Sequence, residues 1–158
     1  MADKTLAELA NDMRRVPAEL DRNITIAIRV AGHKIASEAK SNHRYTDRSG
    51  VLTASTMPDG PFGSFRDDSL TATVSAGAPY AVYVEKGTKR HKIKPKYRRA
   101  LRWPVEGGYQ FAKVVDHPGT EATNFLKDAV EKVSPEVAGR LIPQAVELSF
   151  VQSGFERD

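Results

Sequence analysis

A run of apolar side chains at helical spacing over residues 17–42 constrains the fold most strongly. Charged side chains fall largely on the other faces of this run, so the pattern predicts one long amphipathic helix. Residues 3–16 upstream also show helical spacing, and we expect a kink near Pro17 because proline lacks an amide N–H. The apolar positions of the main run are Leu20, Ile24, Ile28, Ala31, Ile35 and Ala39.

Residues 43–68 are predicted to form an extended loop. They are rich in Ser, Thr, Gly, Pro and Asp, and residues 57–65 contain two prolines, two glycines and two phenylalanines. Loops of this length are usually functional or disordered. Two alternatives remain for Phe62 and Phe65. They form a contact arm that orders on assembly, or they pack back onto the core of their own chain.

Residues 69–116 are predicted to form a small antiparallel sheet. Apolar and polar side chains alternate over residues 69–76, as in a half-buried strand. Two strands over residues 100–105 and 109–115 flank the turn Glu106-Gly107-Gly108, which is typical of a hairpin. A further strand is predicted over residues 91–95. Tyr80 to Glu85 is too short for its periodicity to distinguish a strand from a helix.

The C-terminal third is predicted to be helical over residues 120–151, with an interruption at Ser134-Pro135 and a bend at Pro143. The order of elements therefore predicts an α+β fold in which the long N-terminal helix and the C-terminal helices pack on a small antiparallel sheet. A length of 158 residues fits a single domain, 1–158.

A basic segment follows the first half of the predicted sheet. Residues 86–102 contain nine Lys or Arg and no Asp or Glu, although the whole chain has a net charge of only +4. The segment is either a solvated face that prevents edge pairing of a strand, or a surface that meets phosphates or acidic side chains. Its candidate contact residues are Lys89, Arg90, Lys92, Lys94, Lys96, Arg98, Arg99 and Arg102.

No sequence motif indicates an enzyme. The chain has no cysteine, so disulfides, thiolate metal sites and a cysteine nucleophile are excluded. Its four histidines do not have the spacing of a metal motif, and no phosphate-binding loop or nucleophile elbow occurs. Glu85 is a single carboxylate next to the basic segment, whereas nuclease metal sites require converging acids. We expect no catalytic residue, metal site or cofactor.

The N-terminal residues are polar, so no signal peptide is expected, and no apolar run reaches the roughly 20 residues that cross a bilayer. A membrane partner is therefore not expected.

The order of several short motifs resembles one protein family. Ser49-Gly50-Val51-Leu52 is followed by Tyr83-Val84-Glu85, Gly87-Thr88, Pro95-Lys96 and His117-Pro118-Gly119-Thr120. Together with Phe125-Leu126, this order is similar to the gene-product-ten-like family of neck and minor tail proteins in long-tailed double-stranded DNA phages. The resemblance covers roughly residues 20–133. Residues 57–65 and the segment after Ser134 have no clear counterpart in that family.

The resemblance implies a non-enzymatic virion protein at the head–tail junction, assembled in the cytoplasm of the bacterial host. It implies a homo-oligomeric ring, a hexamer or alternatively a dodecamer, that contacts a head connector or stopper and a tail terminator or tail tube protein. Non-specific contact with packaged DNA is a further option for the basic segment. The alternatives to a tail-completion subunit are a tail terminator, a head-side stopper or adaptor, and a sequence-independent DNA-binding module.

Overall fold

The computed structural model describes residues 4–155, and it confirms the α+β class. Contacts divide these residues into two compact units. The first, unit 1, contains residues 4–78 and 125–155, and the second, unit 2, contains residues 79–124. The organisation of the chain as a single domain stays a prediction.

Unit 1 consists mainly of helices packed on a two-stranded antiparallel sheet. In chain order its elements are α1 (Leu6–Ser41), α2 (Val51–Ser55), β1 (Thr56–Phe62), a 3-10 turn (Phe65–Asp67), β2 (Thr71–Ala76), α4 (Phe125–Glu136), a π-helical turn (Val137–Leu141) and α5 (Ile142–Gln152). The sheet pairs β1 with β2, from Thr56 opposite Ala76 to Phe62 opposite Thr71.

Helix α1 is one uninterrupted helix of 36 residues, longer than the predicted helix over 17–42. Thr5 begins it with a capping box, in which its hydroxyl accepts from the Glu8 amide and the Glu8 carboxylate accepts from the Thr5 amide. Pro17 lies inside the helix. The missing N–H removes one helical bond, and packing of α1 against α5 offsets this loss.

Most of the buried residues of α1 are small. Ala27, Ala31 and Ala39 are buried, and Ile24, a large side chain that is also buried, joins Ala27 and Ala145 in the main apolar cluster. By contrast, Ile28 and Ile35, both predicted to face the core, are only half-buried. Short side chains let the neighbouring elements approach closely.

The prediction of an extended loop over residues 43–68 is wrong. Helix α2, strand β1 and the 3-10 turn occupy most of its residues from 51 to 67. Proline and glycine favoured a loop, but Pro58 lies in a strand with one partner, and Gly60-Pro61 lies at the irregularity between Asp59 and Phe62. Both positions tolerate proline because no ladder hydrogen bond requires its missing N–H there.

The C-terminal helices are interrupted later than predicted. Helix α4 continues through Pro135 to Glu136, and the interruption at Ser134-Pro135 is therefore wrong by two residues. A π-helical turn follows, in which the Ile142 amide donates to the Val137 carbonyl, and α5 then carries Pro143 in its first turn. The widened turn accommodates the lost amide of Pro143, which was the predicted site of a bend.

Unit 2 contains one short helix and two separate antiparallel ribbons, instead of the single sheet predicted over residues 69–116. Strands β3 and β6 pair with each other, as do β4 and β5. The segment from Tyr80 to Glu85, which the sequence left undecided, is mainly helical. In chain order the elements are α3 (Ala81–Lys86), β3 (His91–Ile93), β4 (Leu101–Val105), β5 (Gly108–Ala112) and β6 (Val115–His117).

Unit 2 has little buried surface. Of residues 79–124, all of which the structure describes, Ala81 alone is buried. Short ribbons with so little core are marginal in isolation, so this unit depends strongly on its backbone geometry. Across residues 4–155, no helix combines the length and apolarity that a membrane span requires.

Candidate functional site

All eight basic candidate residues lie in unit 2 with exposed side chains. Lys92 lies in β3 and Arg102 in β4, and the residues between these strands form bends. All three residues of the short strand β3 are exposed, including Ile93. Tyr97 follows the end of β3 at Ile93 and is 87% exposed.

An isolated antiparallel bridge between Thr88 and Thr120, called the clasp, fixes the start of the basic segment. The Thr88 amide donates to the Thr120 carbonyl at 2.9 Å, and the Thr120 amide donates back at 3.1 Å. Gly87 and Gly119 flank this bridge with φ angles of +70° and +97°. A Cβ atom at either glycine would overlap backbone atoms of the opposite segment. The close approach of the two chains therefore requires glycine at both positions.

Arg90 differs from the other basic candidates because it has an acidic partner. Its guanidinium donates from Nε to Oδ1 of Asp116 at 3.0 Å, across the β3–β6 ribbon. This hydrogen bond lowers the pKa of the Asp116 carboxyl below its usual value. None of the other seven candidates forms an ion pair with any residue in 4–155. Their charges are available to an external partner.

The β4–β5 ribbon adds aromatic side chains that the sequence analysis did not assign to the site. Arg102 lies opposite Phe111, and Pro104 lies opposite Tyr109, so these four side chains share one face. Tyr109 and Phe111 are 55% and 65% exposed. The Arg102 guanidinium lies 4.0 Å from the centre of the Tyr109 ring. The alternation Tyr109-Gln110-Phe111 in a predicted strand indicates that the two aromatic side chains share one face of the strand. It does not indicate that this face is exposed to solvent.

Five basic and aromatic residues, Lys96, Tyr97, Arg98, Arg102 and Phe111, line one groove together with Pro95, Ala100 and Leu101. The name basic hairpin face is used for these five residues with Tyr109, which contacts Arg102, and with the exposed neighbours in sequence Lys94 and Arg99. The Lys96 ammonium lies 5.2 Å from the centre of the Tyr97 ring, which is a second cation–π pair.

Changing Lys92, Lys94 and Lys96 together to Ala should leave the fold intact. Exposed, unpaired charges contribute little, so we expect the free energy of unfolding to change by no more than about 0.5 kcal/mol. Denaturant unfolding monitored by circular dichroism and by fluorescence of the single tryptophan, Trp103, measures this. A triple variant that no longer folds would show that these side chains support the structure.

A second surface lies in unit 1 and was not predicted. It is an apolar groove of about 580 Å³ between α1, β2 and the C-terminal helices. Large apolar side chains form its walls, most of them half-buried and one, Val130, 43% exposed. The main ones are Ile28, Ile35, Leu70, Val74, Leu126, Val130, Val137 and Ile142. Helical periodicity placed several of them on an inner face, but periodicity does not reveal which inner face the chain itself covers.

The two loop candidates are fixed in unit 1 and partly exposed. Phe62 ends β1 with 55% of its surface exposed, and Phe65 begins the 3-10 turn with 44% exposed. The Asp21 carboxylate accepts from the Ser64 hydroxyl at 2.8 Å and from the Phe65 amide at 2.9 Å. The Ser64 hydrogen bond, more than any other contact, lowers the pKa of Asp21. This part of the predicted loop is therefore tied to α1, and the contact role of both phenylalanines stays a prediction.

The histidines take part in local structure. His117 accepts a hydrogen bond from the Gly119 amide at 3.1 Å in the predicted turn, and its ring lies 5.1 Å from that of His91 on the paired strand. Within residues 4–155, no group of three or more His, Asp or Glu side chains is arranged to hold a metal ion.

The described part of this α+β protein thus combines a partly open apolar groove in unit 1 with a basic surface in unit 2. A family model described as "Bacteriophage HK97-gp10, putative tail-component" matches residues 7–87, just over half of the chain. The chain belongs to this family of structural phage tail components, which is not a class of enzymes, and the resemblance seen in the sequence is confirmed. Neither the curated proteins nor the solved structures gave a significant match.

Proposed function

We propose that this protein is a ring-forming subunit of the phage neck, which completes the head-proximal end of the tail and joins it to the head. Membership of a tail-component family supports a location in the virion. The observation that carries the proposal is the apolar groove of unit 1. Large apolar surfaces rimmed by polar residues are uncommon on proteins that remain monomeric, and they usually mark contacts with another protein.

A second copy of the chain is the occupant that we propose for this groove. The first turns of α1 carry an apolar stripe that nothing in unit 1 covers, with Leu6 87% and Met13 62% exposed. The stripe lies on α1 and could enter a groove as an amphipathic helix does, through side chains at positions i, i+3 and i+7. Leu6, Leu9 and Met13 have this spacing.

A contact between the stripe and the groove is heterologous, because the two surfaces are different parts of one chain. Repeated heterologous contacts close into a ring when the rotation between copies permits it. A ring matches the rotational symmetry of a tube end, with a hexamer as the proposed state and a dodecamer as the alternative. Its proposed neighbours are the head connector or stopper on one side and the tail terminator or tail tube on the other.

Removing the gene for this protein from its phage tests the proposal. We expect DNA-filled heads and complete tails that remain separate, because the joining subunit is absent, and supplying the protein in trans should restore joined particles. Electron microscopy of the lysate shows the outcome directly. Tails of irregular length would instead indicate a terminator, and heads that lose their DNA would indicate a stopper. Infectious particles without the protein would end the proposal.

A further inference from the structure

The charge of the molecule is concentrated in unit 2. Residues 79–124 contain ten Lys or Arg against four Asp or Glu, a net charge of +6, whereas the whole chain has +4. The rest of the chain is therefore slightly acidic. One of the four acids, Asp116, is already paired with Arg90. A concentration of this kind raises the local electrostatic potential and attracts polyanions.

We propose that the basic hairpin face binds the phosphate backbone of duplex DNA, without sequence preference. The inference deepens the proposed function, since it names the partner of a surface that a ring subunit would present to the genome. Five cations of this face, Lys94, Lys96, Arg98, Arg99 and Arg102, are exposed and form no ion pair within residues 4–155. These cations can therefore bind phosphates without first breaking an ion pair within the described part of the chain.

Two of the three aromatic rings of the face have a cation over one ring face. The Arg102 guanidinium lies 4.0 Å from the centre of the Tyr109 ring, and the Lys96 ammonium lies 5.2 Å from the centre of the Tyr97 ring. A ring face occupied by a cation cannot at the same time stack on an unpaired base, which is how most single-strand binders use aromatics. Cations held on rings are suited to phosphate oxygens, which duplex DNA carries at a higher density than a single strand.

Duplex DNA offers more phosphates than the five cations of the face require, even over the length of β4, the strand that carries Arg102. Strand β4 has five residues, which extend over roughly 17 Å at about 3.4 Å per residue. Duplex DNA carries one negative charge per roughly 1.7 Å of axis, so about ten phosphate charges lie along that length.

The two lysines of the face favour phosphates over an acidic protein as the partner. Arginine is frequent in both kinds of interface, but lysine is depleted in protein–protein interfaces and common in contacts with phosphates. No element of eight or more residues in unit 2 could act as a recognition helix, because its only helix, α3, has six residues. Binding through this face should therefore depend on salt and not on base sequence.

The test measures binding of the purified full-length chain to a fluorescent, mixed-sequence duplex by anisotropy, between about 50 and 200 mM NaCl. We compare the wild type with a variant in which Arg98, Arg99 and Arg102 are changed to Gln. The expected result is a slope of log K against log salt that is smaller in magnitude by about 2 to 3, and an affinity lower by about 100-fold in low salt.

The matched control changes Arg15, Arg29 and Arg48 to Gln, which removes the same charge from exposed arginines of unit 1. We expect its affinity to change by less than about threefold. A third variant, Arg98→Lys with Arg99→Lys and Arg102→Lys, should keep the salt slope, since it retains the charges. Trp103 fluorescence verifies the fold of unit 2 in each variant, and far-ultraviolet circular dichroism verifies the helices of unit 1.

Several outcomes would overturn the inference. These are absence of duplex binding in low salt, equal losses in the test and control variants, tighter binding to the corresponding single strand, or displacement of the duplex by polyglutamate at equal charge concentration. The assay requires neither a ring nor a particle. Its failure would leave the proposed joining role intact, and failure of the gene-removal experiment would leave the DNA result intact.

Discussion

Replacing Gly119 with Ala should unfold unit 2 while leaving the helices of unit 1 largely intact. The φ angle of +97° is unfavourable for alanine, and the added Cβ would overlap the Thr88 carbonyl, breaking the bridge between Thr88 and Thr120. We expect a loss of about 3 kcal/mol or more in the stability of this unit. Because Ala81 alone is buried among residues 79–124, little other packing could offset the loss.

Trp103 makes the effect measurable, because the only tryptophan of the chain lies in β4 of unit 2. Its fluorescence reports on unit 2, whereas far-ultraviolet circular dichroism reports mainly on the helices of unit 1. Gly107→Ala is the matched control. It also has a positive φ, +82°, but nothing lies within 4 Å of the added Cβ, so we expect a cost of only about 1 kcal/mol. Equal effects at both positions would show that the clasp is not a structural requirement.

Changing Val130 to Glu should abolish self-association without unfolding the chain. Val130 lines the apolar groove on α4 and is 43% exposed, so a glutamate can reach solvent in the monomer. If a second copy covers the groove, the carboxylate of the introduced glutamate would be buried without a charged partner, which costs several kcal/mol. We expect an association constant lower by about 100-fold or more. Sedimentation velocity over a range of concentrations measures it.

Val151→Glu is the control for this substitution. Val151 lies on α5, is 45% exposed, and is not part of the groove, so the change in residue and in charge is the same. We expect this variant to associate like the wild type. The opposite pattern, with loss of association only for Val151→Glu, would move the contact between copies away from the groove.

The sequence predicted the fold class and most of the helical elements because these depend on local periodicity. The 3.6-residue spacing of apolar side chains is visible in any long amphipathic segment, and α1 shows it clearly. The boundaries near prolines were less accurate. Whether Pro17 or Pro135 ends a helix depends on the packing of neighbouring elements, and a local pattern does not contain that information.

The error over residues 43–68 has a similar cause. A high content of proline and glycine normally indicates a loop, but Pro58 lies in β1 because this strand has only one hydrogen-bonded partner. Proline is tolerated where its missing N–H faces away from a paired strand, and the positions in β1 that meet this condition depend on its pairing with β2.

The basic candidates could be found from sequence alone, since an acid-free run of nine cations is apparent in the composition of residues 86–102. The residues that contact those cations could not be found from the sequence alone. Pairing of Arg90 with Asp116 and the cover of Tyr109 by Arg102 depend on strand register, which relates residues distant in sequence. The apolar groove was missed for the same reason, since it is defined by what the chain leaves uncovered.

The most direct test of the central claim, that copies of this chain form a ring where head and tail meet, is its position in an intact particle. Electron microscopy of particles containing a labelled form of the protein provides that position. We predict density with cyclic symmetry at the head-proximal end of the tail, in one layer between head and tail tube. Label along the tail tube, at the distal tip or on the capsid would contradict the proposed role.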